Sequence, residues 1–124
     1  MQVIYATVHV KDENKTEFVR IMTELVTKSA AEPGCAGYNL LQREDDPNEF
    51  AFVEFWPTEE AHTAHCDTEH FQTLFPQACA LIEGEVEGII SNVLVCPPAI
   101  SSPRLYAYGL AYDLYKVTCE AIYI

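Results

Sequence analysis

FAFVEFWPTEEAHTAHCDTEHF, running from Phe50 to Phe71, is the stretch whose reading decides the fold. Its opening residues alternate, with Phe50, Phe52, Glu54 and Trp56 on one face of a strand and Ala51, Val53 and Phe55 on the other. Both faces are apolar, so a strand from Glu49 to Trp56 is expected to be covered on both sides. Pro57 stops it, and Thr58 caps a following helix that carries Glu59 and Glu60 in its first turn. That helix pauses at Cys66-Asp67-Thr68 and resumes from Glu69 to about Ile82, with Pro76 at a kink or a new start. The corner holds the only tryptophan, three of the four histidines, and Glu54 at a core-facing position. A carboxylate there is costly unless it is paired or hydrogen-bonded. Two readings follow: a wall of a small-molecule pocket, or a strand–helix corner whose aromatics are core.

Working outward, Glu44-Asp45-Asp46-Pro47-Asn48 is a turn by composition. It joins the Glu49–Trp56 strand to an earlier one from Gly37 to about Arg43, which makes a hairpin. Before that, Phe18, Ile21 or Met22, Leu25 and Val26 recur at helical spacing. Asn14 and Glu17 are spaced as a capping box at the start of this helix. Glu32-Pro33-Gly34 ends it, with glycine expected in the left-handed conformation. Val3 to Val10 alternates as a first strand, burying Ile4, Ala6, Val8 and Val10. Downstream, Glu83-Gly84 ends the last helix, and Glu85 to Val95 is a final strand rich in Ile and Val. The order is strand, helix, strand, strand, helix, strand. That is the α+β, ferredoxin-like βαββαβ pattern: an antiparallel sheet with its helices on one face. Residues 1–95 form this domain. Its uncovered sheet face is apolar, which predicts a back-to-back homodimer. Residues 96–124 are a C-terminal extension: a CPPAISSP linker, then a tyrosine-rich arm suited to packing across a dimer partner.

At 124 residues the chain leaves little room for a second full domain. Its net charge of -12, from 19 acids against 7 bases, argues against nucleic acid or an anionic membrane as partner. No apolar run approaches the ~20 residues that span a bilayer. The N-terminus lacks the layout of a signal peptide, so a cytoplasmic location is expected. The five cysteines are scattered with no CxxC pair, so neither a zinc ribbon nor a dithiol redox centre is signalled. There is no P-loop, dinucleotide fingerprint or GxSxG elbow, and no cofactor is implied.

The candidates for chemistry are Glu54, Trp56, His65 and His70, with Phe71 and Tyr38 beside them. His65 and His70 straddle the helix break and can look into one cleft. An imidazole tuned by a buried carboxylate can act as acid or base near neutral pH. His65 is taken as the base and Glu54 as its orienter. Trp56 and Phe71 are pocket walls, and His70 and Tyr38 are further substrate-binding candidates. His62 is expected to face solvent. His62, His65 and Cys66 could be imagined around a metal, but no HExxH-type or paired-cysteine spacing accompanies them, and no metal is assigned. Cys66 reads as a small buried hydrophobe.

Three segments together carry a family resemblance: EPGCAGY (Glu32–Tyr38), DDPNEFAFVEFW (Asp45–Trp56) and AHTAHCDTEHFQ (Ala61–Gln72). The chain resembles the antibiotic biosynthesis monooxygenase family over about residues 1–95. The family pattern runs EPGC-x-x-Y, strand, E-x-W, then a histidine with a second five residues on. The resemblance implies a dimeric ferredoxin-like α+β barrel with a pocket inside each subunit. It also implies activities of three kinds: cofactor-free oxygenation of quinols and polycyclic phenols, haem degradation, and isomerisation of a phosphorylated quorum-sensing signal. The haem-degrading branch is similar at Trp56 and a following histidine but expects asparagine on the first strand, where this chain has Thr7. The signal-processing branch is similar at Glu54, Trp56, His65 and His70. Its loop after the last helix is basic, whereas GEVEG here is acidic. The expected function is therefore oxygenation of a small quinol-like or phenolic substrate without a cofactor. The alternatives are an isomerase of the same family and a non-catalytic ligand-binding dimeric scaffold.

Overall fold

The computed structural model describes residues 1–95 of the chain. Its elements are β1 (Gln2–Val10), α1 (Asp12–Ala30), β2 (Gly37–Gln42), β3 (Glu49–Trp56), α2 (Glu59–Cys66), α3 (Glu69–Cys79) and β4 (Ile82–Asn92). The four strands form one antiparallel sheet in the order β2-β3-β1-β4, which is the ferredoxin-like arrangement expected. The extension expected over 96–124 lies outside the described residues.

Register decides what the helices meet. Across the helix-facing side, Tyr38, Glu54, Ile4 and Ile90 lie in one cross-strand row. The next row is Leu40, Phe52, Ala6 and Gly88. Phe18, Ile21, Met22 and Leu25 of α1 pack on this face against Val8, Val10, Phe50 and Phe52. Phe18 is the hinge of that packing: it is fully buried, with ring centroids 5.1 Å from Phe50 and 6.4 Å from Phe52. Bulk is concentrated on the β2–β3 half of the sheet. On the β1–β4 half, Ala6 and Gly88 stand side by side with almost no side chain, and a hollow results.

Three local details differ from expectation, and a fourth, Pro76, selects between two. The residue before α1 is Lys11, with no side-chain cap, and Asn14 instead donates from Nδ2 to the Leu81 carbonyl (3.0 Å), tying α1 to the α3–β4 link. Gly34 does not have a positive φ. Its constraint is space, because a Cβ there would lie 3.0 Å from the Ala61 Cβ on α2. The Glu32–Gly34 turn is thereby pressed against α2. At the other end, α3 stops at Cys79, capped by Ala80, so Glu83-Gly84 belongs to β4 rather than to the helix end. Gly84 has φ +76° within a bulge where Gly84–Val86 stand opposite Val8 alone. Pro76 sits inside α3 rather than starting a new helix.

Among the described residues, the opposite face of the sheet carries Tyr5, Val53, Phe55, Leu41 and Ile89 with no helix over it. Tyr5 is 46% exposed, Leu41 47% and Ile89 63%. Among the described residues no helix is long and apolar enough to cross a membrane.

Candidate functional site

The hollow above Ala6 and Gly88 is a cavity of about 230 Å³ between the sheet and the α2–α3 pair. Ile4, Phe52, Phe71, Phe75, Val86 and Ile90 make its apolar walls. Two polar side chains meet it: Glu54 from β3 and His62 from α2. Among the described residues no lysine or arginine lines it. A larger depression of about 360 Å³ lies on the opposite sheet face among Tyr5, Thr7, Leu41 and Ala51. It lacks a comparable pair of groups converging from sheet and helix.

Glu54 is buried, and one of its oxygens is accounted for. The Trp56 indole Nε1–H donates to Glu54 Oε2 at 2.9 Å. The two residues are two apart on β3, so both point to the helix side and their side chains run side by side. A charge-assisted bond of this kind is what a buried carboxylate requires. Tyr38, opposite Glu54 on β2, is buried with no hydrogen-bond partner on its hydroxyl. Burial, and then the Glu54 charge, push the Tyr38 hydroxyl well above the ordinary phenol range, so it stays protonated.

Trp56 is fully buried behind Glu54 rather than lining the cavity. The His65 ring stacks on it, with centroids 4.6 Å apart and planes at 28°, and Phe71 meets His65 edge-on at 4.7 Å. His65 is itself buried and does not line the cavity. No hydrogen bond joins it to Glu54. Its carboxylate partner is Glu32, from the turn after α1. His65 Nδ1–H donates to Glu32 Oε1 at 2.8 Å, and His70 Nε2–H donates to the same oxygen at 2.7 Å. A carboxylate oxygen can only accept, so both nitrogens carry the hydrogens. His65 Nε2, on the far side of the ring, is buried without a partner.

Glu32, His65 and His70 also bring three potential ligand atoms within 4.8 Å of one another. The 2.7 and 2.8 Å contacts are ordinary hydrogen-bond lengths. They are shorter than the separation of roughly 3.3 Å between neighbouring ligands of a tetrahedral zinc bound at about 2.0 Å. The cluster is closed by hydrogen bonds.

The sequence-level candidates therefore separate. Glu54 and Phe71 line the cavity. Trp56, His65 and Tyr38 form the layer behind it, and His70 anchors that layer from the half-buried rim. Glu32 and His62 were missed. In the sequence Glu32 reads as part of a helix stop and of the EPGCAGY resemblance, with no role in the site, yet that turn brings its carboxylate against α2 and α3. His62 was assigned to solvent, yet its ring lies 6.0 Å from Trp56 and faces the cavity. Its i, i+3 spacing to His65 was the signal, because two residues so spaced share a helix face. Cys66, four residues on, places Sγ 3.6 Å from His62 Nε2.

The half-buried thiols of Cys35, Cys66 and Cys79 carry a stability signature. Burial raises the Cys35 thiol from 9.0 to about 11, and burial followed by the Glu54 and Asp67 charges raises Cys66. Burial alone raises Cys79. With Tyr38 shifted the same way, the folded protein holds these protons more tightly than the unfolded chain. The Cys35 contribution is complete below pH 9 and is lost as pH rises towards 11. The thermal midpoint should fall across that range, and Cys35→Ala should flatten the fall. A midpoint flat from pH 8.5 to pH 11 would contradict it.

Fold and site together define a small ferredoxin-like α+β protein with an apolar cavity and one buried acid facing into it. The antibiotic biosynthesis monooxygenase family model matches residues 1–77, and the chain belongs to that family. It is 33% identical over 87 residues to YcnE of Bacillus subtilis (strain 168), a protein provisionally named a monooxygenase, covering 70% of this chain and 92% of the relative. Among solved structures, an antibiotic biosynthesis monooxygenase is 32% identical, with a TM-score of 0.73 over 77% of this chain and all of that one. A conserved protein from Methanosarcina mazei Go1 is 27% identical, with a TM-score of 0.71 over 73% and 89% of the two chains.

Proposed function

We propose that this protein is a cofactor-independent monooxygenase acting on a small quinol-like or phenolic substrate, with Glu54 as the base that meets it. The observation that carries this reading is the cavity: apolar walls shaped by six side chains, closed on one side by a single buried carboxylate. At about 230 Å³ it is smaller than the roughly 300–1,000 Å³ of drug-sized sites. That favours one or two fused rings over a polycyclic phenol. Glu54 takes the hydroxyl proton, the electron-rich anion reduces oxygen, and the apolar walls limit the water around the intermediate. The reaction balances with no other reductant: quinol plus one O2 gives a hydroxylated quinone plus one water. His65, expected from sequence to be the base with Glu54 orienting it, is given the supporting role instead, since Glu54 is the one that reaches the cavity. The isomerase alternative has less support, because a phosphorylated signal would meet no cation on the cavity wall among the described residues. The scaffold alternative has less support, because among the described residues side chains leave the cavity unfilled; the C-terminal arm that could seal it lies outside them. The test is oxygen uptake with a reduced menadione-type quinol and no added cofactor. A rate no faster than spontaneous autoxidation would end the proposal.

The sheet face that the described residues leave uncovered supports a homodimer, its apolar row of Ile89, Tyr5 and Val53 meeting the same row of a second copy. Sedimentation should show a species of twice the 14.0 kDa chain, and Ile89→Lys should shift it towards monomer. A wild-type monomer at micromolar concentration would refute this.

A further inference from the structure

We propose that Glu32 is a positioning residue for Glu54, acting through His65 and Trp56; the inference rests on Glu54 being the cavity base. The chain of contacts starts outside the cavity, in the turn between α1 and β2. Glu32 Oε1 accepts from His65 Nδ1 (2.8 Å) at the end of α2 and from His70 Nε2 (2.7 Å) in the first turn of α3. One oxygen thus ties together three segments that border the site. His65 has no other side-chain hydrogen bond, and its Nε2 is already buried without a partner. The orientation of the imidazole therefore depends on Glu32 alone among polar contacts. Steric limits then carry that orientation inward. The imidazole lies against the Trp56 indole at 4.6 Å and 28°, with Phe71 wedged against its edge at 4.7 Å. Trp56, fully buried, passes the constraint to Glu54 through the 2.9 Å bond from Nε1–H to Oε2. Gly34 is part of the same device, because a bare glycine lets the Glu32 turn approach Ala61 closely enough for the carboxylate to span α2 and α3.

In the Glu32→Ala variant the imidazole loses its only partner and turns in search of another. The indole shifts with it, and Glu54 leaves its productive angle. Misplacements on the order of 1 Å cost up to about 100-fold in rate. The expected kinetic result is a kcat roughly tenfold to 100-fold lower with KM little changed.

Trp56 is the only tryptophan, so one indole N–H resonance reports the bond directly. In the wild type it should lie downfield and exchange slowly. Glu32→Ala should move it towards the free-indole position, and Glu32→Gln, which keeps an acceptor oxygen, should restore most of the native signal. Glu54→Leu, with no acceptor, marks the position of a fully lost bond. His70→Ala, at the half-buried rim, removes one of the two bonds without opening the core and should move the resonance part of the way; it decides the matter should Glu32→Ala fail to fold. An indole resonance that stays in place in every variant at Glu32 and His70 that folds overturns the proposal. Should no quinol prove to be a substrate, the resonance still decides whether Glu32 sets the Trp56–Glu54 bond, so the two failures are distinguishable.

Discussion

Glu54→Gln is expected to lower oxygen uptake by about 10²–10⁴-fold, the range in which a positioned general base contributes. Glutamine keeps the shape of the side chain and an oxygen that can accept from the Trp56 indole, so the 2.9 Å bond and the fold survive. The capacity to take a proton does not. His65→Gln serves as the comparison. That side chain is buried one layer behind the cavity, and its loss should act through geometry, with a smaller drop in kcat. A His65→Gln enzyme that is dead beside a Glu54→Gln enzyme that is active would reverse the assignment of the base.

Phe18→Ala is expected to have the largest effect on stability, about 3–5 kcal/mol, as for large aromatic truncations in close-packed cores. Phe18 is fully buried and is the ring through which α1 engages Phe50 and Phe52. The sheet beneath it is hydrogen-bonded on both sides of β3 and β1 and cannot collapse into the void. Since domains of this kind hold only about 5–15 kcal/mol in total, the variant should unfold at much lower urea with an unchanged slope. A midpoint within experimental scatter of the wild type would show that α1 does not depend on this contact.

Much of the fold was legible because it is written in alternation and punctuation. The bounds of β3 follow from Glu49 to Trp56 alternating up to Pro57. The break between α2 and α3 follows from Thr58 and Thr68, each of which caps a helix through its hydroxyl. The errors fall where a local rule had two physical solutions. Gly34 could serve a left-handed turn or a close approach, and the packing of Ala61 selected the second. Gly84 could end a helix or open a bulge, and pairing with β1 selected the bulge. The site was half legible. That Glu54 and Phe71 share a face with the helices is a matter of strand and helix period. Which carboxylate holds His65 is not, since Glu32 and His65 are 33 residues apart and meet only after the turn has docked on α2. The hollow itself depends on Ala6 and Gly88 being neighbours across β1 and β4. That register is set in part by the bulge, which no single-strand pattern shows.

The most direct test is where the oxygen goes. Incubation of the purified protein with a reduced menadione-type quinol under ¹⁸O2, without added metal or cofactor, should give a hydroxylated quinone carrying one ¹⁸O atom, at a rate lowered about 10²–10⁴-fold by Glu54→Gln. A product that is the plain quinone with peroxide beside it, or label incorporation equal with and without protein, would contradict the account.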